Sequence, residues 1–335
     1  MHSGVTTESI VEHVACDFCG TAESDAVVSQ TDFVHRTTDE KFTIVRCRSC
    51  GLHYLNPRPT AAEIGRYYTE RYPFHLARST LRRFAADCAE RAANGRLYRL
   101  FALVPALTRR LSAHVRPPID DPVRRHLPAD RRARILDIGC GSGAVAHFWG
   151  RRGALLGYRE IADVCGVEVD DEARAALAAT GVTAYRDIVD VPQELRFDVI
   201  RMNWSLEHVH SPSRYFRFIA DRLSAYGKAV VAVPNYEGLI YRVAPDCVEV
   251  PIHLYHYRRQ DLLNFAGRCG LAEVEYRTFS YPGMYELAAS LCPSLKGMFE
   301  QPLGLVGARR MQAVLSRFDA LGLGNDMLFV FGRAA

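Results

Sequence analysis

No stretch of this 335-residue chain approaches the ~18 consecutive apolar residues of a membrane span. The longest apolar run, Leu100 to Leu107, is interrupted by Pro105. Residues Met1 to Thr6 lack a charged region leading into an apolar one, so no secretory leader is expected and the chain reads as cytoplasmic. A disulfide framework is missing too. Six of the ten cysteines (Cys88, Cys140, Cys165, Cys247, Cys269 and Cys292) are scattered through apparent helices, strands and loops, which implies reduced thiols. Lysine is scarce, at three of the 42 basic residues. Arginine supplies the rest, unevenly: 14 arginines lie between Arg78 and Arg134 against five acids, while the whole chain carries only +4. That stretch is either a solvated helical face or a docking surface for an anionic substrate, carrier protein or nucleic acid. Apolar side chains, at 48%, are plentiful enough for a large core. The length suits one large domain plus a small module, or two domains.

The other four cysteines form two pairs, Cys16-Asp17-Phe18-Cys19 and Cys47-Arg48-Ser49-Cys50. Each pair places two thiolates on one turn, and the glycine after each (Gly20, Gly51) permits the positive φ such a knuckle needs. Two knuckles supply the closed tetrahedral shell of a structural zinc ion, with a rubredoxin-type iron as the rival. Lys41 to Cys47 alternates in the manner of a strand entering the second knuckle. The reading is a zinc ribbon over residues 1–58, held by metal because its own core is small.

The densest signal is Ile135-Leu136-Asp137-Ile138-Gly139-Cys140-Gly141-Ser142-Gly143. It reads as a strand buried on both faces, then a glycine loop against which a ligand can lie, then a helix whose free N–H groups face that ligand. Gly139, Gly141 and Ala144 also fit the dinucleotide fingerprint, so spacing alone leaves a nicotinamide oxidoreductase open. Two acids tilt the choice. Asp137 would repel a pyrophosphate but suits the ammonium of a methionyl group. Glu168, near the end of a second strand (Val164 to Val169), can accept both hydroxyls of a ribose.

On these residues the chain resembles the class I S-adenosylmethionine-dependent methyltransferases. The resemblance implies that Gly139, Gly141 and Gly143 meet the methionyl part, that Glu168 binds the ribose and that Asp187 and Ile188 bracket the adenine. Asn203, at the end of the fourth strand, would line the same crevice. The ribbon, Leu55-Asn56-Pro57-Arg58-Pro59 and the pair Tyr67–Tyr68 resemble a bacterial subfamily from natural-product and surface-polysaccharide pathways, which includes nucleotide-sugar C-methyltransferases. In that family the last strand inserts antiparallel.

The expected fold is a doubly wound, mostly parallel, seven-stranded α/β sheet of Rossmann-like type over residues 134–335. A helical linker or lid occupies 59–133, and a helical cap is inserted at 280–325, a span too long for a plain loop. Thr60 and Glu63 are spaced as a capping box for a helix over 61–68, and Ser211 is placed to cap the helix beginning at Pro212.

Methyl transfer is an in-line displacement, so alignment dominates, and an alcohol nucleophile gains from a histidine base. His208 in the Leu206–Val209 run, with His253 and His256 in the His253–Tyr257 run, are the candidates; each has a structural alternative. Tyr67, Tyr68, Tyr72 and Phe74 either roof a pocket or cover a junction. The leading expectation is methylation of a small, possibly anionic, acceptor at oxygen. Oxygen is preferred because nucleotide-sugar C-methyltransferases of this type carry a further C-terminal domain, whereas this chain ends at its last expected strand. A nucleic-acid substrate is disfavoured: Asn203-Trp204-Ser205-Leu206 is not the Asn/Asp-Pro-Pro-aromatic loop used on exocyclic base amines. A non-catalytic scaffold with a degenerate pocket is the remaining alternative.

Overall fold

The computed structural model describes residues 10–68, 80–96, 98–101, 103–144, 153–292, 294–295 and 303–334. The helix expected directly after the glycine loop, Tyr72, Phe74 and Arg78 lie outside the described residues.

The N-terminal part is built from short strands: β1 (Val11–Glu12), β2 (Ser24–Thr31), β3 (Lys41–Cys47), β4 (His53–Leu55) and β5 (Arg58–Pro59). Helices α1 (Thr80–Asn94), α2 (Tyr98–Phe101), α3 (Pro105–Ser112) and α4 (Pro122–Arg125) follow. The alternating region then runs β6 (Ala133–Ile138), β7 (Ala162–Val167), α5 (Asp171–Ala178), β8 (Thr183–Tyr185), β9 (Phe197–Asn203), α6 (Pro212–Arg222) and β10 (Leu223–Pro234). It continues with α7 (Leu239–Val243), β11 (Tyr255–His256), α8 (Arg259–Arg268), β12 (Leu271–Phe279), α9 (Pro282–Leu291), α10 (Leu305–Ala320) and β13 (Asp326–Arg333).

Seven strands form the main sheet in the order β12-β13-β10-β9-β6-β7-β8. Strands β6 to β10 pair in parallel, and β13 runs antiparallel between β10 and β12. This is the mostly parallel, doubly wound sheet that the strand–helix alternation predicts. Alternate residues of one strand serve opposite cores. Leu136 and Ile138 pack with Ile200 and Met202 on one face, while Ile135 packs with Val199 and Val230 on the other. The order reverses between β6 and β9, so the crevice lies at their carboxyl ends.

A second sheet, β11-β4-β3-β2, contains the cysteine knuckles' strands and one strand from far along the chain. Tyr255 pairs with Tyr54, and His256 with His53. Phe42, Ile44, Leu52 and Leu55 share one buried cluster with Ile200, Phe216 and Leu254. The helices α1 to α3 pack instead on the 280–325 insertion, where Ala93, Leu111 and Val115 bury against Leu305 and Ala308. Several arginines of the basic stretch form ion pairs at the surface. Arg124 pairs with Asp121, Arg125 with Glu275, Arg131 with Asp198 and Arg132 with Asp163.

Two local expectations need correction. The helix over 61–68 is a single 3-10 turn, Ile64–Tyr67. The Thr60 N–H that a capping box requires already donates to the Ile10 carbonyl, and the Glu63 carboxylate pairs with Arg66 instead. Ser211 does not cap α6. Its hydroxyl donates to Asp17 Oδ1 at 2.7 Å, and Asp17 Oδ2 accepts the Ser213 N–H at 2.8 Å. The cap is thus a carboxylate from the first cysteine knuckle, some 200 residues away in sequence.

Candidate active site

The glycine loop leaves β6 with Gly139, Gly141 and Gly143 all at positive φ. Gly139 shows why no side chain is tolerated: a Cβ there would sit 2.5 Å from the Ser205 Cβ, where the loop after β9 crosses. Ser205 Oγ donates to the Ile138 carbonyl at 2.8 Å and fastens the two loops together.

Strand β7 ends at Val167, so Glu168 is the first residue beyond it. Its carboxylate is buried and clasps the loop. Oε2 accepts the Gly141 N–H at 2.8 Å, and Oε1 accepts the Asp170 N–H at 3.0 Å. Each oxygen keeps acceptor capacity for a ribose hydroxyl. Asp187 caps the turn Ile188–Asp190 through the Val189 N–H and pairs with Arg214 at 2.7 Å. Ile188 is buried in the main core beside Val191.

Asp137 has a partner inside the sheet. Its Oδ2 lies 2.6 Å from Arg201 Nη2, and both side chains are buried. Arg201 also donates to the Gly153 carbonyl and lies over the Tyr158 ring, whose hydroxyl donates to Asp121. Burial would lower the arginine's pKa, but the Asp137 charge and hydrogen bond raise it overall, so the guanidinium stays charged. An ammonium group would share this carboxylate with the guanidinium, which comes from the neighbouring strand at a spacing no local pattern reveals.

Several polar atoms near the crevice are buried without a hydrogen-bond partner among the described residues. They are both amide atoms of Asn203, Ser142 Oγ and both carboxylate oxygens of Glu207. Unsatisfied groups at the end of β9 and in the glycine loop are what a polar cofactor would complete. With the glycine cradle and Glu168, these residues fit S-adenosylmethionine.

Two of the three candidate histidines meet. The rings of His208 and His253 lie 4.7 Å apart, edge to face. His208 Nδ1 is 3.0 Å from the Tyr68 hydroxyl and 3.0 Å from the Ile252 carbonyl. His256 goes elsewhere: on β11 its ring packs against Tyr236, and burial holds its pKa well below the ordinary histidine value.

Sequence reasoning passed over the acids around this pair. Glu249 Oε1 is 2.7 Å from His35 Nε2, and Oε2 is 3.5 Å from His253 Nε2. Burial alone would raise Glu249, but the His253 charge and the His35 hydrogen bond bring it down to about 2. Burial pushes the Glu207 carboxyl well above its ordinary value. Asp326, pushed up to about 7 by burial, accepts the Trp204 indole N–H at 2.9 Å. Glu207 stood in view inside the Leu206–Val209 run. Glu249 and His35 carried no local signal.

The four cysteine sulfurs converge. Cys16 and Cys50 are 3.5 Å apart, Cys19 and Cys47 are 3.4 Å apart, and all four lie within 4.8 Å of one another. A tetrahedral ion with bonds of ~2.3 Å needs sulfurs separated by roughly 3.8 Å, so the donor set fits.

Residues 111–276 match the profile of a family described as a methyltransferase domain. The chain has the class I S-adenosylmethionine-dependent methyltransferase fold, and it is an enzyme of that class. Similar solved structures include an S-adenosylmethionine-dependent methyltransferase from Mesorhizobium loti, at 19% identity over 63% of this chain and 95% of that one, with a TM-score of 0.42. Others are the CcbJ methyltransferase from Streptomyces caelestis (14% identity, 64% and 87% covered, TM-score 0.40) and a TehB-like methyltransferase from Corynebacterium glutamicum (18% identity, 63% and 84% covered, TM-score 0.35). No curated protein sequence matches the chain.

Proposed function

We propose that the enzyme methylates an oxygen of a small sugar or natural-product scaffold in the cytoplasm. The observation that carries this reading is the juxtaposition at the β6–β9 switch point. The glycine loop is clasped by Glu168 and crossed by Ser205, and three residues further along that crossing loop His208 lies against His253. Bound there, S-adenosylmethionine would supply an electrophilic methyl group to the acceptor oxygen, with S-adenosylhomocysteine as the leaving group.

The chain's own residues bind and align. Glu168 takes the ribose hydroxyls, Asp187 and Ile188 border the adenine, and Gly139, Gly141, Gly143 and Asn203 receive the methionyl part. Tyr68 and Ile252 fix the His208 ring, and Glu249 faces that of His253, so the acceptor's proton leaves to an oriented imidazole. The four cysteines hold a structural zinc ion away from the chemistry.

Calorimetric titration with S-adenosylhomocysteine, with NADH as control, tests the cofactor assignment. Micromolar binding of the first and none of the second is expected. Glu168→Ala should weaken that binding at least tenfold with little change in melting temperature, because among the described residues the carboxylate's hydrogen bonds run to two main-chain amides. Unchanged affinity in this variant would remove Glu168 from the site.

A further inference from the structure

The most exposed question about this crevice is what balances Glu207. The residue is 1% exposed, and neither carboxylate oxygen has a hydrogen-bond partner among the described residues. A buried carboxylate with no hydrogen-bonded partner needs a proton or a cation. Donor atoms of Glu207, His208 and His253 all lie within 4.8 Å of one another. One nitrogen of each imidazole already faces a protein oxygen: His208 Nδ1 the Ile252 carbonyl, and His253 Nε2 the Glu249 carboxylate. That is how proteins orient metal-bound histidines. Glu249 is steadied in turn by His35, from the loop between β2 and β3, which Asp32 braces by accepting the His35 and Thr37 N–H groups.

We propose that Glu207, His208 and His253 form a second metal site, for a divalent first-row transition ion, distinct from the four-cysteine cluster. Two imidazoles and a carboxylate suit such ions and leave coordination positions open, unlike a closed thiolate shell. An ion here would gather an oxygen-rich acceptor, such as a vicinal diol or hydroxy-carbonyl group, and lower the pKa of its hydroxyl. With the ion bound the two imidazoles would coordinate it and the hydroxyl proton would pass to solvent, in place of the proton transfer to imidazole that the metal-free site would use. This last consequence rests on the methyl-transfer reading; the binding of the ion does not.

The test needs neither cofactor nor acceptor. Zinc-loaded protein is titrated with Co²⁺, and bound cobalt and zinc are counted after equilibrium dialysis. One equivalent of cobalt is expected above the retained zinc, with d–d absorption and no thiolate-to-cobalt charge-transfer band. Glu207→Gln and His253→Ala should each lower cobalt affinity at least tenfold while zinc stays at one equivalent, which also reports that the fold survives. A measurement on the unaltered protein guards against a variant that does not fold. Cobalt should shift the imidazole resonances of His208 and His253 and leave those of His53 and His210 in place. No cobalt beyond that displacing zinc, or cobalt binding indifferent to these residues, overturns the proposal. S-adenosylhomocysteine titration of the same samples reports separately on the methyltransferase reading.

Discussion

At the scale of single residues, the most consequential pair is Asp137 and Arg201. Side-chain exposures of 4% and 3% put both charges inside the sheet. Removing one partner leaves the other buried and uncompensated, at a cost of about 3–5 kcal/mol. Asp137→Ala is therefore expected to lower the unfolding free energy by that order, measured by denaturant titration. A loss under about 1 kcal/mol, the worth of an exposed pair, would show that water reaches Arg201. Asp326 makes a prediction about pH. Its folded pKa of about 7 lies above the ordinary 3.8 because burial disfavours the charge. Between these values the native state holds a proton that the unfolded chain has lost, so this group's contribution to stability falls as pH rises. Asp326→Asn keeps an oxygen for the Trp204 indole N–H and removes the titration. The stability difference, wild type minus variant, should shrink as pH goes from 4 to 7. A difference flat across that window would mean that Asp326 titrates normally.

At the scale of elements, the start of α6 shows how far a local pattern reaches. Ser211-Pro212 announces the helix correctly, but the oxygen that accepts the first free N–H comes from Asp17. Asp17 also accepts the Ser211 hydroxyl, and its carbonyl accepts that of Ser213. Asp17→Ala should cost about 1–2 kcal/mol, the usual worth of a helix cap, even though it lies in the cysteine knuckle. Chemical denaturation measures it, and a cost near zero would return the capping role to Ser211. Strand β11 makes the same point. Tyr255 and His256 read as part of a catalytic loop, yet they pair with β4.

At the scale of the whole molecule, the cysteine-bearing sheet and the main sheet share one buried cluster. Arg58 adds polar ties, donating to the His210 carbonyl and to the Tyr255 hydroxyl. Unfolding is accordingly expected to be a single cooperative transition. Stripping metal from the four cysteines with a strong chelator should lower its midpoint, because sulfurs 3.4–3.5 Å apart lose what gathers them. Two separated transitions in a calorimetric scan would show instead that the N-terminal part folds by itself.

The sequence by itself determined the strand–helix alternation of a parallel sheet, the glycine loop, the acid after β7 and the cysteine knuckles. Each is written in neighbouring residues, as apolar runs, glycines that must take positive φ, or a fixed two-residue gap between thiols. Only the tertiary structure decided which buried charges meet. Arg201 for Asp137, His35 for Glu249, Asp17 for α6 and β11 for β4 are partners separated by tens to hundreds of residues. A buried polar group must find a partner wherever the fold brings one, and nothing in its own neighbourhood says where that is.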